Sequence, residues 1–354
     1  MPSRHPYDGA PAYRRWRAGV GELAPGAVDP VVALDLKIRP QDQVVTAGSC
    51  FAQHIARHLR QTGFGFLQTE TAHPILPPAA AEAFQYGVYS ARYGNIYTAR
   101  QLLQLHQRAY GRFAPQEDVW IEAGRAIDPF RPTIQPNGFA TLAEFHADRR
   151  QHLAAVRQAF ESMDVFIFTL GLTECWTARA DGAVFPVCPG VAGGVFDPER
   201  HQFRNLTVDE VVADFTAFLA AVRGLNPKVR VILTVSPVPL AATALDRHVV
   251  VSTAYSKAVL RVAAERLAEG EGVYYFPAYE VVTGPGAGGR YFAEDRRTVT
   301  EAGVEQVMGL FFRYATEGAP QTPPAALTPE PDGFLAQSRA VVEALCDEAL
   351  LDGA

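Results

Sequence analysis

The strongest chemical signal in the chain is Gly48-Ser49-Cys50-Phe51-Ala52, which lies between two different periodicities. Val44-Val45-Thr46-Ala47 before it is a short apolar strand, and after it Phe51, Ile55 and Leu59 recur at helical spacing. A strand that turns directly into a helix puts Cys50 where unpaired backbone N–H groups and the helix dipole favour a thiolate. Those amides, with that of Phe51 among them, suit an oxyanion. Ser49 fits two roles, nucleophile or helix N-cap. The residues are equally compatible with a plain cap at Ser49 and a small buried hydrophobe at Cys50.

Elements able to position such a turn recur along the chain. Residues 165–170 and 229–235 are almost wholly apolar, as strands covered on both faces must be, and 273–276 is a further short strand. Helical spacing marks 51–59, 252–267 and 300–314. Strands alternating with helices predict a mostly parallel sheet with helices on both sides. Ligands gather outside the carboxyl ends of such strands. That rule selects Gly48-Ser49-Cys50, Gly171-Leu172-Thr173-Glu174, Ser236-Pro237-Val238-Pro239 and the loop around Asp295.

Within these loops Glu174 is a candidate general acid or base, and Asp295 a candidate to orient a base or contact substrate. Asn95 is a candidate oxyanion donor, with a turn role as its alternative. His248 follows the third long strand and is the imidazole best placed by topology. His54 lies one helical turn beyond Cys50, and His73 falls farther along. For each histidine a surface or capping role competes with catalysis. No cluster has convincing metal spacing, and the glycines of 284–289 lack the Lys-Ser/Thr of a phosphate loop, so neither metal nor cofactor is expected.

The 354 residues are 48% hydrophobic and 20% charged, which excludes a chain disordered throughout, and a net charge of −6 argues against a nucleic-acid binder. Four scattered cysteines make neither a disulfide framework nor a CxxC site. The apolar region 229–245 is broken by Arg230, Pro237 and Pro239, so no membrane span is expected, and the expected location is the cytoplasm. Residues 1–34, rich in Pro and Arg, read as an irregular arm. The main domain is expected over 35–315, with a partly helical insertion at about 63–161. A Pro-rich linker and an amphipathic helix are expected over 316–354, the helix packing back or meeting a partner or a second copy.

The motif resembles the name-giving block of the GSCFA-domain family, within the SGNH/GDSL hydrolase-like superfamily. The resemblance extends through Tyr93-Gly94-Asn95-Ile96-Tyr97-Thr98, Thr169-Leu170-Gly171-Leu172-Thr173-Glu174, Thr234-Val235-Ser236-Pro237-Val238-Pro239 and Tyr255-Ser256-Lys257, over about 35–315. It implies an α/β, three-layer α/β/α flavodoxin-like fold. Mapped on the superfamily's blocks, Cys50 takes the nucleophile slot and Ser49 the acid slot, Gly171 and Thr173 fall in the oxyanion block, and Asp295 opens the Asp-x-x-His block. Thr298 stands where that block has its histidine. The implied activity is acyl transfer, by an esterase or acyltransferase, on a carbohydrate- or peptide-like acceptor. The alternative is a catalytically silent module that binds a glycan or partner in the same cleft.

Overall fold

The structure, a computed structural model, describes residues 5–318 and residue 350. Nearly all of the expected linker and C-terminal helix, with Cys346, lies outside the described residues. The chain runs from β1 (Val44–Gly48) into α1 (Cys50–Gln61), α2 (Pro78–Ala83), α3 (Ala99–Ala109), the hairpin of β2 (Trp120–Glu122) and β3 (Arg125–Ile127), and α4 (Leu142–Ser162). Next come β4 (Val165–Leu170), β5 (Glu174–Ala178), β6 (Val184–Phe185), β7 (His201–Asn205) and α5 (Val208–Arg223). The rest comprises β8 (Arg230–Val235), α6 (Val249–Ala268), β9 (Val273–Tyr275), α7 (Ala278–Thr283) and α8 (Glu301–Ala315).

The main sheet has the order β1-β4-β8-β9, all parallel. Period-two alternation splits its side chains between two cores. Val45, Phe166, Phe168, Val231 and Leu233 pack with Leu102, Val156, Phe215, Phe218 and Leu260 of α3 to α6. Val44, Val165, Ile167 and Ile232 pack with Phe51 and Ile55 of α1 and with Val304 and Phe311 of α8. The result is a three-layer α/β/α fold. Such strands read as unbroken apolar runs because neither face meets water.

Beyond β1 the chain returns alongside it. Val44 donates to Gly65 O (2.7 Å) and Leu67 donates to Val44 O (2.9 Å), a parallel bridge centred on Phe66. The polypeptide thus leaves β1 towards one edge and reappears at β4 on the other side. The sheet's direction of winding reverses between β1 and β4, which opens a crevice at their carboxyl ends.

Two features were not legible as read above. A second, antiparallel sheet of order β6-β5-β7 leads out of the loop after β4, and its short strands mix polar and apolar residues without a sustained period. Helix α5 is announced by a capping box of Thr207 and Glu210, a signal present in the sequence but not used. Residues 5–34 form an irregular arm with single turns at Ala12–Arg14 and Arg17–Gly21. The arm is docked: Gly26 donates to Gly286 O (2.9 Å), and the Tyr314 hydroxyl donates to Asp29 (2.7 Å). Among the described residues no helix is long and apolar enough to cross a membrane.

Candidate functional site

The turn from β1 into α1 is built on Gly48. Its φ of +143° suits glycine, and a Cβ there would stand 2.5 Å from the Thr169 carbonyl oxygen on the neighbouring strand. This close approach lets β1 end flush against β4 and start a helix within one residue. Ser49 is the N-cap by position, yet its side chain does not cap the helix. Its hydroxyl is buried and has no hydrogen-bond partner among the described residues. Cys50 opens α1 and is 8% exposed. The Phe51 side chain is sealed in the core, while its amide, in the first helical turn, has no acceptor among the described residues.

A strap from the insertion crosses the crevice. Ile96 donates to Gly48 O (2.8 Å), and the Tyr97 carbonyl accepts from both Gly171 (3.1 Å) and Leu172 (3.0 Å). The strap therefore ties the ends of β1 and β4 together. Asn95 beside it accepts from the Tyr89 hydroxyl (2.6 Å) and from Gln53 (3.3 Å), and Tyr89 also reaches the Ser49 carbonyl (3.2 Å). Asn95 is thus held against the Ser49-Cys50 turn by buried partners.

The loop after β4 is fixed from the other side by α6. The Thr173 amide donates to the Ser256 hydroxyl (3.1 Å), and the Lys257 ammonium donates to the Gly171 carbonyl (2.8 Å). Lys257 is only 1% exposed. A Cβ on Gly171 would meet the Ser49 Cβ at 3.2 Å and the Tyr97 carbonyl at 3.1 Å, so Gly171 lies directly on the nucleophile turn. The Gly171 amide, expected as an oxyanion donor, is taken by Tyr97. The Thr173 hydroxyl, expected in the same role, donates instead to Asn205 (2.6 Å).

The crevice thus gathers Ser49, Cys50, Phe51, Gly171, Thr173 and Asn95. Other expected residues are engaged elsewhere. Glu174 accepts from Thr243 (2.7 Å) and from the Ala244 amide (3.4 Å), holding the loop before α6. His248 is exposed at the N-cap of α6, where its Nδ1 accepts from Val250 (3.2 Å). His73 sits on an exposed turn and accepts from Ile75. Asp295 is exposed and accepts from the Arg297 and Thr298 amides (2.9 Å each) and the Thr298 hydroxyl (2.5 Å). Burial opposes ionisation of Asp295, but these donors together with the Arg297 charge outweigh it and lower its pKa.

His54 stands one turn beyond Cys50, on the same helix face, and helical side chains lean back towards the N-terminus. Burial, helped by the nearby Arg57 and His58, lowers its pKa to about 3. The imidazole is therefore neutral. Arg57, which also pairs with Glu301 of α8 (3.1 Å), donates to Nδ1 (3.3 Å), and the tautomer assigned from that contact carries its proton on Nε2. His54 is thus a neutral hydrogen-bond donor rather than a base. Among the described residues the other two thiols are disfavoured as thiolates: burial pushes Cys175 up to about 12 and Cys188 up to about 11. The sequence offers Ser256 only within a matching block and Lys257 also as a possible buried partner of Glu174, which Thr243 and Ala244 engage instead; Tyr89 and Gln53 carry no signal in the sequence. Among the described residues no group of three or more His, Cys, Asp or Glu side chains is placed to hold a metal ion.

Two solved structures resemble the chain loosely. A mutant acetyl esterase with an acetate ion is 13% identical, with 76% of this chain and 94% of that chain covered at a TM-score of 0.36. A carbohydrate esterase family 3 structure from Talaromyces cellulolyticus is 15% identical, covering 60% and 87% at a TM-score of 0.25. No curated protein matches the sequence. Residues 43–311 match the GSCFA family, a span that takes in the sheet, the strap, the crevice and most of α8, and the chain belongs to that family.

Proposed function

We propose that the protein is an esterase-like acyl-transfer enzyme of SGNH type with Cys50 as its nucleophile. The observation that carries this reading is the Gly48-Ser49-Cys50 turn at the switch point of a parallel sheet. There an acidic side chain opens a helix whose second amide has no acceptor among the described residues. The Cys50 sulfur bonds to the acyl carbon of an ester, and the bond to the alcohol oxygen breaks. The thiol's proton passes through a water molecule to the alcohol oxygen as the alcohol leaves. A second water attacks the thioester carbon, releasing the carboxylic acid and restoring the cysteine. The Phe51 amide supports an oxyanion, and neutral His54 adds a donor on the same helix. An acyl acceptor such as a sugar hydroxyl or a peptide amine, in place of the second water, makes the reaction a transfer.

The silent-module reading has its own observation, the exposed Asp295-Thr298 pair in which the expected histidine is absent. Turnover separates the two. With an activated acetyl ester the wild type should hydrolyse substrate in a saturable manner, and Cys50→Ala should lose at least about 10²-fold in kcat/KM. Ser49→Ala should retain most of the rate. Turnover that survives Cys50→Ala and vanishes in Ser49→Ala overturns the nucleophile. No turnover, with saturable binding of an oligosaccharide, supports the module.

A further inference from the structure

Helix α6 is apolar on two faces. The inner face packs Val259, Leu260 and Ala263 into the core and holds the crevice loop through Ser256 and Lys257. On the outer face Val251, Tyr255 and Val262 are 54%, 39% and 50% exposed, and Ala258 among them is exposed too. One such residue alone is ordinary on a surface. These four, however, form a single stripe with steps of four, three and four residues, the repeat of a seam between paired helices. His248 and Glu265, both exposed, continue the stripe by one step at each end. From 248 to 265 the seam thus reads His, Val, Tyr, Ala, Val, Glu, and it runs for about 26 Å at 1.5 Å per residue.

We propose that this face of α6 is a self-association surface, and that its partner is a second copy of the chain packed antiparallel along the seam. The order of residues is complementary to its own reverse. With a two-fold axis crossing the helix between Ser256 and Lys257, Val251 meets Val262 of the second copy, the Tyr255 ring meets the small Ala258, and His248 meets Glu265, each contact occurring twice. A parallel pairing would set tyrosine against tyrosine and glutamate against glutamate. Local bonds prepare the end groups. His248 Nδ1 accepts from the Val250 amide (3.2 Å), so the tautomer assigned from that bond offers an Nε2 proton outward, and Glu265 accepts from Arg261 (2.6 Å) through one carboxylate oxygen. Arg247 lies over the Tyr255 ring (5.2 Å to its centre) at the middle of the seam. A single helix pair of this length sits at the low end of interface sizes, so the dimer is a transient one with a dissociation constant of about 10 µM.

The test is sedimentation velocity on the full chain over about 1–200 µM. The wild type should pass from monomer to dimer across that range. Val262→Lys sets an unpaired charge against Val251 twice in each dimer and should weaken association by at least about 100-fold, leaving monomer throughout. His248→Asp keeps a side chain able to cap α6 but opposes two carboxylates, and Glu265→Lys removes the acceptor. Each should weaken the dimer by about three- to tenfold, since the end pair occurs twice. The double variant His248→Asp/Glu265→Lys restores opposite charges and should return to within about twofold of the wild-type constant. A wild type that stays monomeric overturns the proposal. So does a dimer that the three single variants leave unchanged, which would place the contact on another surface or on residues 316–354. Single variants that weaken the dimer without recovery in the double variant overturn the antiparallel arrangement.

Discussion

At the scale of single residues, the site depends on one glycine and one sulfur. Gly48 combines a left-handed φ with contact to the Thr169 backbone, so Gly48→Ala should cost about 2–4 kcal/mol. Chemical denaturation should show that loss, and the cost would be within about 0.5 kcal/mol if the turn were not tight. The turn itself was legible, because a change from strand to helix periodicity across Gly-Ser-Cys has few other structural solutions. Lys257 was not. A lysine inside a helical pattern reads as a solvated residue, and only the arrival of the β4 loop over α6 buries it. The same holds for Gly171 and Thr173: their types suit an oxyanion hole, but whether an amide or hydroxyl is available depends on Tyr97 and Asn205, which lie far along the chain.

Among the elements, α6 is the clamp. Its Ser256 hydroxyl accepts from the buried Thr173 amide, and its Lys257 ammonium donates to the Gly171 carbonyl, so the loop backbone is pinned by neighbouring side chains. Ser256→Ala should leave that amide unpaired and cost about 1–3 kcal/mol. The loss should appear in the melting temperature and in faster hydrogen exchange at Thr173; unaltered exchange there would show that the clamp does not bear on the loop. The parallel strands and main helices were readable because burial on both faces and amphipathic spacing leave strong periodic signals. The β6-β5-β7 sheet was not, since its strands are short and alternate irregularly. The strap was visible only as a motif, because backbone hydrogen bonds to Gly48 and Gly171 leave no trace in side-chain type.

Across the whole molecule, the separate parts of the insertion are held to one another by a buried ionic cluster. Glu70 meets His152 (2.8 Å) and Arg92 (3.4 Å), and Asp148 bridges Arg92 (2.9 Å) and Arg131 (2.7 Å). Burial alone would raise the Glu70 carboxyl, but His152, Arg131 and the Arg92 amide outweigh it and hold the group down at about 2. A carboxyl depressed by folding contributes stability above its unfolded pKa of 4.5, and that contribution is lost as pH falls towards about 2. The half-buried, neutral His54 acts with the same sign, its contribution being present above 6.5 and fading as pH falls towards about 3. Glu70→Gln should lose about 3 kcal/mol near neutral pH and flatten the acid limb of the unfolding curve; a parallel limb would show that the carboxyl is not linked to folding. The most direct test of the account as a whole is covalent. Brief exposure of the wild type to an activated acyl donor, followed by acid quenching and peptide mapping by mass spectrometry, should place a single acyl group on the peptide carrying Cys50. The same modification should be absent from Cys50→Ala; an acyl group mapped to Ser49, or none at all while ester is being consumed, would contradict the account.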